Sequence, residues 1–315
     1  MSAPVTATRA LAFCGSMPCF ITQRPPVRLA ILLVLAAVCS ISRAQAQTDS
    51  TAAQAVQVQP IDATGGSSTS AAGDSDLAKK LQNPIGDLIS VPFQNNLNFG
   101  VGPHNGAQDV LNIQPVIPFH LNDNWNLITR TILPLVWSPS NEPGHSVPFG
   151  LAPTTITAFL SPREPTNGWL WGAGPITQIP TATDSSLGSS VWGLGPAAVI
   201  VKTTGPIVAG VLVNNVFSLG GTPGPAGTSY SLMTINPFFN YNFAGGWFVG
   251  SVPIITANWN GPGTKWTLPV GVQGGRLIKV GGTLPVNMLL GAYYNAIRPT
   301  YGATWQIRAQ IALIF

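Results

Sequence analysis

Charge is scarce in this chain: Asp, Glu, Lys and Arg make up 8% of its 315 residues, and its mean hydropathy is +0.28. Soluble domains carry about a quarter charged residues, so an ordinary secreted enzyme is excluded. Long apolar runs are missing as well. The run Leu29 to Val38 is too short for a membrane helix, and beyond it no uninterrupted stretch of about 18 apolar residues occurs, which excludes helical spans. Cysteine is confined to Cys14, Cys19 and Cys39, histidine to His104, His120 and His145, and no acidic residue follows Asp184. A hydrophobic chain without membrane helices must bury its apolar residues in a large soluble core or turn them to lipid as a closed sheet. Only helices and barrels satisfy their backbone in hydrocarbon.

The N-terminus explains several of these absences. Arg24 and Arg28 precede the Leu29 to Val38 run, and Ala44-Gln45-Ala46 supplies the small residues a signal peptidase reads, so residues 1–46 read as a secretory signal peptide. Met17 is an alternative start, and Cys39 sits in a poor lipobox. Cleavage after Ala46 removes all three cysteines, leaving neither a disulfide nor a thiol nucleophile. It also removes Arg9, Arg24, Arg28 and Arg43, four of fourteen basic residues, so that ten remain against ten acidic ones. The sequence pI of about 9.2 is therefore mostly a property of the signal. It gives no support to nucleic-acid binding. Residues 47–73, rich in Ala, Gln, Ser, Thr and Gly, read as a disordered spacer. Within 74–87, Asp74 or Ser75 caps a short helix, Asp76 to Gln82, which Asn83-Pro84 stops before a connection.

From residue 88 to 315 the rhythm is strand, break, strand. Counting back from the end, Phe315, Leu313, Ile311, Ala309, Ile307 and Trp305 are apolar, while Ala312, Gln310, Arg308, Gln306 and Thr304 are small or polar, and only Ile314 breaks the rule. Such a strand has one greasy and one wet face. An outer-membrane barrel ends this way, on an aromatic carboxyl terminus. The alternative is an amphipathic edge strand of a soluble sheet. Twelve strands are expected: Leu88 to Gly100, Asp109 to His120, Asn124 to Trp137, Gly150 to Leu160, Gly168 to Pro180, Ser190 to Thr203, Pro206 to Ser218, Tyr230 to Asn242, Trp247 to Ala257, Lys265 to Ile278, Leu284 to Ala296, and Thr304 to Phe315. In the second, Asn112, Gln114 and His120 oppose Leu111, Ile113 and Phe119; in the eighth, Asn236, Asn240 and Asn242 oppose Ile235, Phe239 and Tyr241. A polar inner face suits a wet lumen. The expected fold is all-β, a transmembrane antiparallel up-and-down barrel of about twelve strands with a short N-terminal helix.

Two rulers support this reading. Trp125 and Trp137 are twelve residues apart on one face, as are Trp247 and Trp259. Twelve tilted residues rise about 28 Å, close to the gap between the aromatic girdles of such barrels. The proposed connections alternate long and short, which puts both termini in the periplasm. Prolines oppose the model: Pro115, Pro134, Pro153, Pro175, Pro196, Pro237, Pro253, Pro269 and Pro285 lie in or at strand ends. Because proline lacks a ladder donor, bulges or kinks are expected there.

Several motifs are familiar. Leu77-Ala78-Lys79-Lys80-Leu81-Gln82-Asn83-Pro84, Leu88-Ile89-Ser90-Val91-Pro92-Phe93-Gln94-Asn95-Asn96, Leu111-Asn112-Ile113-Gln114-Pro115-Val116-Ile117-Pro118-Phe119 and Trp125-Asn126-Leu127-Ile128 resemble a family of bacterial transporter-like outer-membrane proteins, often mislabelled neuromedin U. The likeness is strongest from Leu77 to Pro134. A more distant similarity is to outer-membrane proteins of phenol-degradation, or MetA, pathways. The resemblance implies a barrel and transport, and carries over no functional residue.

The candidate lumen residues are Asn112, Gln114, Arg130, Arg308 and Gln310. A charge facing lipid near mid-membrane costs about 2 to 4 kcal/mol, so both arginines should point inward. Basic side chains in a pore favour anions. The girdle candidates are Trp125, Trp137, Trp247 and Trp259, and Phe315 is the expected C-terminal assembly signal. No catalytic, cofactor or metal site is expected. The one enzymatic alternative, His145-Ser146 with Asp109 or Asp184, lacks any geometric support in sequence. The expected location is the bacterial outer membrane, with lipid, the barrel-assembly machinery and a small solute as partners and no nucleic acid. The function expected is a narrow channel; the alternative is a non-conducting envelope protein using the barrel as an anchor.

Overall fold

The computed structural model describes residues 76–139, 149–222 and 228–315. The expected signal peptide and spacer, and the His145-Ser146 pair, lie outside these residues. Contacts divide the chain into Met1–Ile61 and Asp62–Phe315. Everything below concerns the second unit.

Twelve antiparallel strands close into a barrel. They are β1 (Ser90–Val101), β2 (Gly106–Ile113 and Val116–His120), β3 (Trp125–Trp137), β4 (Phe149–Leu151 and Thr154–Pro162), β5 (Trp169–Ile179), β6 (Gly193–Thr204), β7 (Ile207–Ser218), β8 (Ser231–Asn242), β9 (Trp247–Ser251 and Ile255–Asn258), β10 (Trp266–Val280), β11 (Leu284–Ile297) and β12 (Trp305–Ile314). Each strand pairs with its sequence neighbours. The wall closes where β1 meets β12, from Ser90↔Ile314 to Phe99↔Trp305. A closed ladder leaves no edge to aggregate. The strands agree with those expected from sequence to within a few residues.

The pleat sorts this wall into two faces. Along β12, Trp305, Ile307 and Ile311 are exposed while Arg308, Ala312 and Ile314 are buried. The register carries the same sorting to the neighbouring strands: Arg308 lies opposite Asn96, which lies opposite Val110. On the outside, Val272 is 65% and Leu290 63% exposed, and apolar side chains of this kind recur on every strand. An uncovered apolar surface of that extent belongs in hydrocarbon. Ile314, the exception in the terminal alternation, is an inner-face residue buried against Ala78 and Leu277.

Aromatic residues mark both rims. Trp125, Trp169, Trp171 and Trp247 stand at the rim that carries Phe315, here the near rim; Trp137, Trp192, Trp259, Trp266 and Trp305 stand at the far rim. Trp125 meets Trp171 edge to face at 5.8 Å, Trp137 stacks on Phe149 at 4.4 Å, and Trp259 meets Trp266 at 5.3 Å. Trp125 and Trp137 thus end one continuous strand. Trp247 and Trp259 do not, because β9 is broken between them at residues 252–254.

The prolines behave in two ways. Pro115, Pro153 and Pro253 lie in the breaks of β2, β4 and β9, and a register shift separates Leu268 from Pro269. Pro134 stays in register with β2, but its ladder with β4 shifts by one residue between Ile132↔Thr155 and Leu135↔Leu151. Pro175, Pro196, Pro237 and Pro285 stay in register, so the expected bulge or kink is absent at these four. For three of them the missing donor falls where an adjacent ladder is already open. Pro175 and Pro196 face each other. Beside them the β4–β5 ladder skips from Thr157↔Ile176 to Leu160↔Ala173, and the β6–β7 ladder from Leu194↔Phe217 to Ala197↔Asn214. Pro237 faces the break in β9, between the pairs Ile235↔Ile255 and Phe239↔Ser251.

The strands separated by the longest stretches of sequence, β3 from β4, β5 from β6 and β7 from β8, have their facing ends at the far rim, and short connections such as 205–206 and 281–283 lie at the near rim. The far-rim turn 102–105 is short as well.

Candidate functional site in the barrel lumen

The short helix, α1 (residues 76–82), lies in the near mouth because its apolar side chains find partners there. Leu77, Ala78 and Leu81 pack against Leu277 and Ile314 on the inner wall. Asn83 ends the helix in a turn: its side-chain oxygen accepts the Ile85 N–H at 3.1 Å and its carbonyl accepts the Gly86 N–H at 3.0 Å. Gln82 and Asn242 exchange two amide hydrogen bonds, of 2.8 and 3.0 Å. Ile85, 2% exposed, then inserts among Ile128, Phe159, Leu170, Val201 and Val208. Gly172 leaves room for it, since a Cβ there would stand 3.5 Å from Ile85 Cγ2 and 3.2 Å from Phe159 Cβ. Asp87 meets His120 Nε2 at 2.9 Å. Residues 76–88 are therefore held in the mouth by packing at two points and by polar ties at two more.

A cavity of about 400 Å³ lies against this segment, bounded on that side by Lys80, Gln82, Asn83 and Leu88. Its wall has two characters. β12 and β1 to β3 present Gln94, Asn112, Gln114, Arg130, Arg308 and Gln310; β7 to β9 present Leu212, Val216, Leu232, Phe238, Phe248 and Val252, interleaved with Asn214, Thr234, Asn236 and Asn240. The five lumen candidates, Asn112, Gln114, Arg130, Arg308 and Gln310, thus line one cavity. The polar inner face read on the second and eighth strands does not extend round the barrel, because inner residues of β4 to β8 form an apolar core that includes Phe159, Leu170, Val199, Val201, Val208 and Phe238. Alternation gave no warning there: in β6 the outward Ala198 and Ile200 are as apolar as the inward Ala197, Val199 and Val201.

Arg308 is 2% exposed, and its partners are neutral. Its Nε donates to Asn96 Oδ1 at 3.2 Å, one terminal nitrogen to the Val252 carbonyl at 2.8 Å, and the other to Gln306 Oε1 at 3.2 Å. The guanidinium also lies 4.6 Å over the Tyr293 ring. Tyr293 is fixed in turn, its hydroxyl donating to Gln273 Oε1 at 2.9 Å and accepting the Val252 N–H at 3.2 Å. The break at Pro253 makes this possible: with no ladder partner, the backbone of Val252 turns both polar groups to lumen side chains. Arg130 donates to Gln114 Oε1 at 2.7 Å. Among the described residues no Asp or Glu lines the cavity.

From Arg308 an amide track climbs the inner wall toward the far rim. Gln306 donates to Asn98 at 3.0 Å, Asn98 to Gln108 at 3.3 Å, and Gln108 to Ser138 Oγ at 3.3 Å. Around the cavity, the side-chain oxygens of Asn236, Asn240 and Asn287 lack a protein partner. Sequence reasoning missed Tyr293, Asn96 and Val252. The inward parity of Asn96 was readable, whereas the role of Val252 exists only through the break.

No family model matches the chain, and no curated protein sequence matches it. Solved structures do. An outer membrane channel from Pseudomonas putida F1 aligns over 72% of this chain and 94% of its own, at 15% identity and a TM-score of 0.55. The shared feature is the fold, that of an outer-membrane barrel. Salmonella typhi OmpF, in complex with daunomycin, aligns over 72% and 96% at 8% identity and a TM-score of 0.37. The Salmonella typhi outer membrane phospholipase dimer with bound calcium aligns over 77% and 97% at 15% identity and 0.38.

The carboxylates weighed for a catalytic triad have other roles in this barrel. Asp109 is on the outer face opposite Trp137, accepting a hydrogen bond from Asn95 at 2.6 Å. Asp184 accepts the Ser186 hydroxyl at 2.6 Å and N–H at 2.8 Å, which hold its carboxyl below the usual range. Among the described residues no three His, Cys, Asp or Glu side chains converge as metal ligands would.

Proposed function

We propose that this protein is an outer-membrane channel for passive passage of small solutes. The observation that carries the reading is a closed barrel, apolar and aromatic-banded outside, whose lumen holds two arginines with no carboxylate beside them among the described residues. The long connections at one rim suit the outside of the cell, and in this reading the near rim and Phe315 face the periplasm. Outer-membrane lipid then covers the exterior, and the terminal strand with Phe315 is the signal read by the barrel-assembly machinery. The resemblance to transporter-like outer-membrane proteins, and the more distant one to phenol-pathway proteins, agrees with this reading. Its strongest part, Leu77 to Pro134, supplies the mouth segment and most of the polar wall.

Two fixed cations in a narrow lumen repel cations and favour anions. Reversal potentials of the reconstituted protein under a KCl gradient should show anion preference, and clear cation selectivity would rule the mechanism out. The mouth segment and the apolar core favour a second reading, a non-conducting barrel that anchors an envelope function. Liposome swelling separates the two. Solute flux supports the channel, while sealed liposomes containing folded protein support the anchor.

A further inference from the structure

We infer that the lumen cavity is a binding site for small organic carboxylates with an apolar body. The inference deepens the channel reading by naming its solute, and depends on that reading only for the biological role of the site. The observation is the division of the cavity wall. On one side, Arg130 spends one of its five N–H donors on Gln114 and keeps the others, while Arg308, buried with three donors on neutral acceptors, adds its charge to the same wall. A guanidinium with free donors matches the planar, two-oxygen head of a carboxylate. On the other side, Leu212, Val216, Leu232, Phe238 and Phe248 turn apolar surface to the same space, interleaved with Asn214, Thr234, Asn236 and Asn240.

The two halves exclude simpler occupants. A small hydrophilic anion would meet the arginines and leave Leu212, Val216, Leu232, Phe238 and Phe248 uncovered. A neutral apolar solute would cover these and leave two cations without a counter-charge. One molecule satisfies both halves only if it carries an anionic head on a hydrocarbon body. A cavity of about 400 Å³ falls in the range of small-molecule sites. The amide track from Ser138 to Arg308 supplies polar groups along which the head can travel from the far rim.

Titration calorimetry on the folded protein tests this with three probes: cyclohexanecarboxylate, acetate and cyclohexylmethanol. The carboxylate with a ring should bind saturably and at least tenfold more tightly than either fragment of it. Arg130→Gln should weaken that binding at least tenfold, and Leu232→Asn should bring it toward the affinity for acetate. Arg130 and Leu232 are chosen because Arg308 is knit into the wall and its loss can disturb folding. Equal affinity for acetate or for cyclohexylmethanol overturns the inference. So does the absence of saturable binding by protein that keeps its folded gel mobility. Chloride conductance of the same preparation reads the channel hypothesis separately. Selective binding without conductance upholds the site and removes the channel, and conductance without selective binding does the reverse.

Discussion

Arg308 shows what one residue does when an interior is neither dry nor fully wet. A buried guanidinium without a carboxylate is costly unless its donors are met and its charge is used. Here three acceptors from β1, β9 and β12 and the Tyr293 face hold it in one orientation. Arg308→Lys keeps the charge and removes the fork, so most of those bonds cannot be remade. The expected cost is about 1 to 3 kcal/mol, read as a lower urea midpoint for the lipid-reconstituted protein. An unchanged midpoint would mean that the fork does not brace the wall. The inward placement of Arg308 was legible because neighbouring residues in a strand alternate. Its partners were not, because Val252 lies 56 positions away and reaches it only through a proline break.

At the scale of elements, the mouth segment is bound to the wall more weakly than the wall is to itself. Its ties are one buried isoleucine, a helix face of three apolar residues, an amide pair and an exposed Asp87–His120 contact. Exposed ion pairs contribute about 0 to 1 kcal/mol, whereas burying an isoleucine contributes about 1.5 to 3. Ile85 therefore outweighs the Asp87–His120 contact. Ile85→Asp should release the segment and raise single-channel conductance while leaving the barrel's own unfolding transition in place. Unchanged conductance would show that the segment does not narrow the pore. The helix itself was readable from the Asn83-Pro84 stop; the capping candidates Asp74 and Ser75 lie outside the described residues. Its position was not, because Leu77, Ala78 and Leu81 specify an apolar partner without saying which. The strand prolines teach the same lesson: three interrupt strands, two lie at register shifts and four do neither, according to what the adjacent strand offers.

For the whole molecule, the decisive distinction is between the two faces of one closed sheet. Val272 and Gln273 are sequence neighbours, one 65% exposed outside and the other buried inside. Val272→Arg should cost about 2 to 4 kcal/mol of folding into bilayers. Gln310→Arg, on the polar lumen wall, should cost less than about 1 kcal/mol and strengthen anion preference. Equal penalties for the two would contradict the assignment of faces. The sequence by itself determined strand number, order and the outward face. Those are local properties: a period of two, turn residues between strands, and aromatic residues at strand ends. Only the tertiary structure decided what the inside contains. Closure brings together inner faces far apart in the chain, so the same inward parity yields an apolar core on β4 to β8 and an arginine-bearing wall on β12 and β1 to β3. Contacts across a lumen have no sequence period, and for that reason the divided cavity was visible only once the barrel had closed.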